Sequence, residues 1–253
     1  MDTARYAFAI ANRGGASLVS SGDSDSIRSG YARIRSATNA ATPAGVAIYS
    51  YRSANLLIGE MGVPATAALK SGRIFAEVSS TVNTGLAIVN PNNQTATINF
   101  FFTDDSGHDA GTGKTTVPSY QQIARFLDSA TFKTFSGPSF QGAFSFTSDL
   151  PVGVVAIRSF YNERADFLMS TLPVIDTSAV PDTGPAVVPH FSDGGGWTTQ
   201  ILLVNPADNP LVGNVEFRDE NGLPVVLSIS DGRQLSILSS AAERSKNNDT
   251  GEL

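Results

Sequence analysis

The sequence predicts an all-β protein made of tandem immunoglobulin-like β-sandwich repeats with antiparallel sheets. Its apolar residues alternate with polar ones or fall in short runs, which is the spacing of β-strands. Clusters of Gly, Pro, Asn and Asp bound these runs, as turns between strands require. Two sequence elements also recur at a spacing close to the ~100 residues of an immunoglobulin-like domain.

The clearest strand predictions end in turns of the hairpin type. Residues 95–103 lead into 104–107 (Asp-Asp-Ser-Gly), and residues 211–218 lead into 219–222 (Asp-Glu-Asn-Gly). Glycine and asparagine accept the positive φ of such turns, and aspartate caps them. Further strands are predicted at 45–52, 86–89, 140–146, 153–160, 167–169, 198–204 and 235–238.

The segment after Ser119 is the best candidate for a helix. Ser119 is a suitable N-cap, and Ile123, Phe126 and Leu127 would share one face of a short helix. A strand fits this segment almost as well. Residues 162–164 (Asn-Glu-Arg) are predicted to form a turn with a local Glu–Arg ion pair.

Two elements recur along the chain. Residues 86–91 (Leu-Ala-Ile-Val-Asn-Pro) return 115 positions later at 201–206 (Ile-Leu-Leu-Val-Asn-Pro), and more weakly at 8–12 (Phe-Ala-Ile-Ala-Asn). Residues 43–48 (Pro-Ala-Gly-Val-Ala-Ile) return at 151–157 (Pro-Val-Gly-Val-Val-Ala-Ile), with their glycines 108 positions apart. The two spacings agree within several residues, which indicates duplication of one unit.

The positions of these elements divide the chain into parts. The central repeat, 73–175, is predicted to be complete. The N-terminal repeat, 1–72, is shortened, and the C-terminal repeat, 187–240, lacks the second recurring element. Residues 241–253 are polar and are predicted to form a flexible tail.

The recurring residues resemble a known β-sandwich repeat of large secreted or surface proteins of acidobacteria and other soil bacteria. The resemblance covers roughly 73–222 and includes the start of a further unit at 189–200. It implies a secreted or surface location and brings no catalytic residues with it. The residues that carry it are 84–91, 122–127, 151–157, 162–164, Phe167 and Leu168.

Composition limits the partners. The net charge is −6, and the 17 basic residues form no run, so we expect no nucleic acid partner. No stretch approaches the ~20 apolar residues of a membrane-spanning helix, so we expect no membrane insertion. The chain has no cysteine, which excludes disulfides and thiolate metal sites. The first residues show no signal peptide, so an exported protein would have lost it earlier.

Two motifs suggest enzymes but fit poorly. Residues 111–115 (Gly-Thr-Gly-Lys-Thr) lack the first glycine of a phosphate-binding loop and run into Val-Pro, so we interpret them as a hairpin loop. Ser24 with Asp105 and His108 resembles the blocks of one lipase-esterase class. That class needs an α/β sheet, which this chain does not predict, so an unrecognised hydrolase stays the last alternative.

The acidic loops raise the question of a metal. Calcium is the ion that Asp-rich, Gly-containing loops would suit, and the candidates are 23–25, 104–109 and 193–196. None matches a complete calcium-loop pattern. We therefore expect no cofactor, with calcium as the alternative.

Trp197, His190 and Asp193 are the candidate ligand contacts. Trp197 is the only tryptophan and follows three glycines, so an exposed ring there could stack on a sugar. The competing interpretation is an aromatic residue that covers one end of the sandwich. A carbohydrate-binding module is therefore the alternative to a structural protein.

The expected function is a non-catalytic extracellular structural or adhesive module. An incomplete repeat leaves apolar faces and unpaired strand edges. The segments 30–64 and 187–238 hold complementary halves of one unit, so we expect them to pair within a chain or head-to-tail between chains. A surface polymer or glycan is the other expected partner.

Overall fold

The structure is a computed structural model that describes residues 5–22, 24–37, 40–53 and 55–229. In these residues the protein is all-β and antiparallel, and no helix is long and apolar enough to cross a membrane. The strands of the described part are β1 (Val46–Ser53), β2 (Leu56–Pro64), β3 (Leu69–Val78), β4 (Val82–Val89), β5 (Ala96–Asp104), β6 (Asp109–Val117), β7 (Gln122–Phe126), β8 (Phe140–Tyr161), β9 (Phe167–Leu172) and β10 (Ile175–Asp176).

Backbone contacts divide the chain into two units, 1–33 and 34–253. The described residues of the first unit form no strand and are exposed. All ten strands belong to the second unit.

In the strands around the core, buried residues alternate with less buried ones. Along β5, Ala96, Ile98, Phe100 and Phe102 are buried and alternate with less buried residues. β3 repeats the pattern. Successive side chains of a strand point to opposite faces, so one face of each strand meets the core.

The 22-residue strand β8 holds the strands together. Its first half pairs with β3 on one side and β5 on the other, so that Phe144 is opposite both Ile74 and Phe102. Its second half pairs with β4 and β9, with Val154 opposite Ile88. One continuous strand therefore has different neighbours before and after the segment around Pro151.

Residues from both halves of β8 and from their neighbours share one apolar core. Phenylalanine rings fill much of it. Phe144 stacks on Phe100 at 5.3 Å between centroids and meets Phe102 edge-on at 5.2 Å. Such edge-on and offset arrangements suit aromatic quadrupoles.

The remaining strands lie at the margins. β6 pairs with β5, β7 with β4 and β10 with β3. β1 and β2 form a separate two-stranded sheet. β2 lies beside β9, where the Thr171 hydroxyl donates a hydrogen bond to the Gly62 carbonyl.

Most strand predictions are confirmed, and one pair of them merges. The predicted strands at 140–146 and 153–160 are one strand, β8. The prediction of a helix after Ser119 is wrong, because residues 122–126 form strand β7, which pairs with β4. The predicted ion pair between Glu163 and Arg164 is also wrong, since the Arg164 guanidinium donates to the Asp166 carboxylate at 2.8 Å.

The glycine-rich motif at 111–115 is not a hairpin loop, because it lies within β6. Its second glycine has a packing reason. A Cβ on Gly113 would lie 2.3 Å from the Phe100 ring of the neighbouring strand. The glycine therefore makes room for a core aromatic.

Two predicted strands are absent. Residues 198–204 and 211–218 form no strand, and neither do residues 8–12, which carry the recurring pattern weakly. A strand needs a partner for its backbone hydrogen bonds, and these segments have none of the pairings that β8 gives to β3, β4 and β5. The predicted strand at 235–238 and the tail at 241–253 lie outside the described residues.

Candidate interaction site

Residues 192–223 make local hydrogen bonds like those of residues 77–108, which lie in the segment 73–175 that we call the central copy. In the central copy, Thr84 donates its hydroxyl to the Glu77 carbonyl at 3.1 Å and accepts from the Glu77 N–H at 2.9 Å. Thr199 makes the same two bonds with Ser192, at 2.8 and 3.0 Å. Thr199 lies 115 positions after Thr84, and Ser192 lies 115 positions after Glu77.

The recurring asparagine behaves in the same way. The Asn90 amide donates to the Gln94 carbonyl at 2.6 Å, and its oxygen accepts from the backbone N–H two residues on at 3.0 Å. The Asn205 amide donates to the Asn209 carbonyl at 2.7 Å and accepts from the equivalent N–H at 2.9 Å. The spacing is again 115.

A third match is the hairpin turn. The Asp104 carboxylate accepts from the backbone N–H groups two and four residues on, both at 2.9 Å, and Asp219 does so at 2.9 and 2.8 Å. Gly107 and Gly222 take positive φ at matching positions, 85° and 78°. The N–H of His108 is the main cause that lowers the pKa of Asp104 below its ordinary value.

We call residues 189–229, which include these matches, the C-terminal half-unit. Its local turns are formed, but its inward face is open. Leu203 is 71% exposed, whereas the equivalent Ile88 is fully buried. Val215 is also exposed, whereas the equivalent Phe100 is buried.

One arginine holds the half-unit against the central copy. Arg73 donates to the carbonyls of Asn205 and Ala207, both at 2.9 Å, and to the Asp208 carboxylate at 2.8 Å. Leu202 packs against the central core nearby. Sequence reasoning missed Arg73, because nothing local to it points to residues more than 130 positions away.

The sequence pattern of β1 and β2 is similar to that of the second half of β8 with β9, but the register differs, since Val46 pairs with Pro64 and Ala156 pairs with Leu172. Gly45 matches Gly153, and both hairpins are antiparallel. The two differ in their surroundings. Val46 and Ile48 are exposed, whereas Val154, which matches Val46, is buried against β4.

The predicted ligand contacts Trp197, His190 and Asp193 are all exposed. Trp197 is 70% exposed and closes a tight turn with Gly194 through two backbone hydrogen bonds of 3.0 Å. The His190 ring lies 3.1 Å from the Ser192 hydroxyl.

The residues of the hydrolase hypothesis lie outside the strands. Ser24 is exposed in the first unit, and His108 lies in the β5–β6 turn, 3.6 Å from Asp104. Of the calcium loops, Asp23 lies outside the described residues. No group of three or more His, Cys, Asp or Glu side chains suited to a metal occurs among the described ones.

No protein-family model and no curated protein matches this chain. One solved structure, "Crystal Structure of Thermotoga maritima 1070", is similar at a TM-score of 0.35 and 11% sequence identity. The match covers 42% of this chain and 94% of that chain. A likeness of this size carries no argument about fold or function.

Proposed function

We propose that this protein is a non-catalytic structural or adhesive module of a bacterial cell surface, built from copies of one β-sandwich unit. The observation that supports it is the return of three hydrogen-bonded motifs at a constant spacing of 115 residues. Arrays of one repeated unit are typical of proteins that build extended scaffolds and binding surfaces.

The pairing of β8 supports a sandwich for the proposed unit. Its first half lies with β3 and β5, its second half lies with β4 and β9, and both sets of strands contribute to one core. Two layers that face each other across a shared apolar core are the arrangement of a β-sandwich. The immunoglobulin-like connection of the strands remains part of the proposal.

Surface location is the first test. Antibody raised against this chain is expected to label intact cells of the source bacterium, and protease added outside is expected to remove the label. A cytoplasmic protein should stay unlabelled until the cells are permeabilised, which controls for leakage. Labelling that needs permeabilisation would contradict the proposal, as would ester hydrolysis that Ser24→Ala abolishes.

The second candidate is a carbohydrate-binding module, favoured by the exposed ring of Trp197. Stacking on a sugar uses the face of the ring, so Trp197→Ala should abolish retention on insoluble polysaccharide, while Trp197→Phe keeps part of it. Pull-down of the full chain with cellulose, chitin and peptidoglycan measures this. Tyr6→Ala removes an aromatic side chain that is also exposed and serves as the control. Equal retention of the Trp197→Ala and unmodified chains would exclude a role for this residue.

A further inference from the structure

We propose that the β1–β2 hairpin of one copy completes the C-terminal half-unit of a second copy, so that chains join head-to-tail. The inference rests on the proposed function, because it treats the two segments as halves of the same sandwich unit. The interface would be formed by β1 alongside residues 201–204.

The central copy specifies how the two halves fit. There, Ile88 lies opposite Val154, and Leu86 lies opposite Ala156, in an antiparallel pairing of β4 with β8. We place the residues that lie 115 positions after β4 where β4 lies in the central copy. We place the residues that lie 108 positions before the second half of β8 where that half lies. This assigns Leu203 opposite Val46, and Ile201 opposite Ile48.

Both faces are open in the single chain. Leu203 is 71% exposed and Val46 61% exposed, whereas the central pair, Ile88 and Val154, is at most 2% exposed. In the described part of the chain, β1 pairs on one side only, with β2, and residues 201–204 pair with no strand. Such edges and apolar faces tend to acquire a strand.

The partner is a second copy because, in the described part of the chain, β1 and residues 201–204 do not pair with each other. The hairpin lies beside β9, which pairs with the second half of β8. The half-unit is fixed to β3, which pairs with the first half, through Arg73. A contact that joins different patches of successive copies does not close on itself, and it generates a filament.

The absence of cysteine allows a clean cross-linking test. Val46→Cys and Leu203→Cys chains, one of them carrying a size tag, are mixed under mild oxidation. Opposed residues of antiparallel strands lie about 4.5–5.5 Å apart at Cα, which is within the range of a disulfide. A mixed disulfide, identified by its peptide mass, is the expected product.

Two control mixtures define the register. Ala47→Cys with Leu203→Cys shifts the pair by one residue, which turns the two side chains to opposite faces. Val180→Cys with Leu203→Cys tests chance collision, because Val180 is exposed and outside both halves. The matched pair should cross-link about tenfold faster than either control, because pairing raises the effective thiol concentration. Equal rates in all three mixtures would overturn the proposal.

Sedimentation of the unmodified chain gives an independent readout. We expect larger species as the concentration rises, and a monomer for Leu203→Asp with an unchanged unfolding midpoint. A monomer at every concentration would also overturn head-to-tail pairing. If intact cells are nevertheless labelled, the proposed function stands and only self-assembly fails.

Discussion

Replacement of Phe102 by alanine is expected to lower the free energy of unfolding by about 3–5 kcal/mol, the range for a fully buried phenylalanine. Phe102 is fully buried on β5, opposite Phe144 of β8. Loss of the Phe102 ring reduces the buried apolar area and leaves a cavity, because the surrounding rings cannot all move inward. The rings around it are Phe100, Phe135, Phe140 and Phe144, with centroids 5.1–6.3 Å away.

Phe217 supplies a matched control for this variant. Phe217 lies 115 positions after Phe102, but it is only partly buried and packs on Phe191 at 5.2 Å. Phe217→Ala should therefore cost less than about 1.5 kcal/mol, since less apolar area leaves water. Urea unfolding followed by far-UV circular dichroism measures both midpoints. Equal losses for the two variants would contradict the assignment of the core to the central copy.

Replacement of Asn90 by alanine is expected to cost about 2–4 kcal/mol, because several buried polar groups lose their partners together. The Asn90 side chain is fully buried, and its amide donates to the carbonyls of Gln94, Val117 and Pro118. Its oxygen accepts from the N–H and side chain of Asn92. A carbonyl inside the protein that loses its donor has lost its hydrogen bonds to water on folding and has no protein partner in return, which is unfavourable.

Asn205→Ala is the matched control, since Asn205 makes the same local bonds nearer the solvent. Water can replace the lost side chain there, so we expect a loss below about 1 kcal/mol. Thermal unfolding of both variants, at one pH and concentration, gives the comparison. A large loss at Asn205 and a small one at Asn90 would reverse this account.

Local chemistry made much of this fold predictable from the sequence. The acidic turns at 104–107 and 219–222 carry their own capping residues, so they form with or without neighbours. The strand β5 is marked by its alternating apolar residues. The recurrence of the Asn-Pro element indicated equivalent positions, and the Thr199 and Asn205 hydrogen bonds agree with it.

The remaining features depend on partners that are distant in sequence. Residues 201–204 are as apolar as residues 86–89, yet only the second segment is a strand, because β7 and β8 pair with it. The continuity of β8 through Pro151 was hidden, since proline usually ends or flanks a strand. The exposure of Trp197 could not be predicted from the sequence either, because it depends on which segments cover the ring.

The late position of β8 in the chain also sets the order in which the protein can form during synthesis. β3, β4 and β5 all precede it, and each pairs with it across the sequence. When only the first 139 residues have been made, β5 can pair with β6 and β4 with β7, but β3 and β5 still lack the first half of β8. Folding of the newly made chain should therefore be slow and dominated by long loop closures.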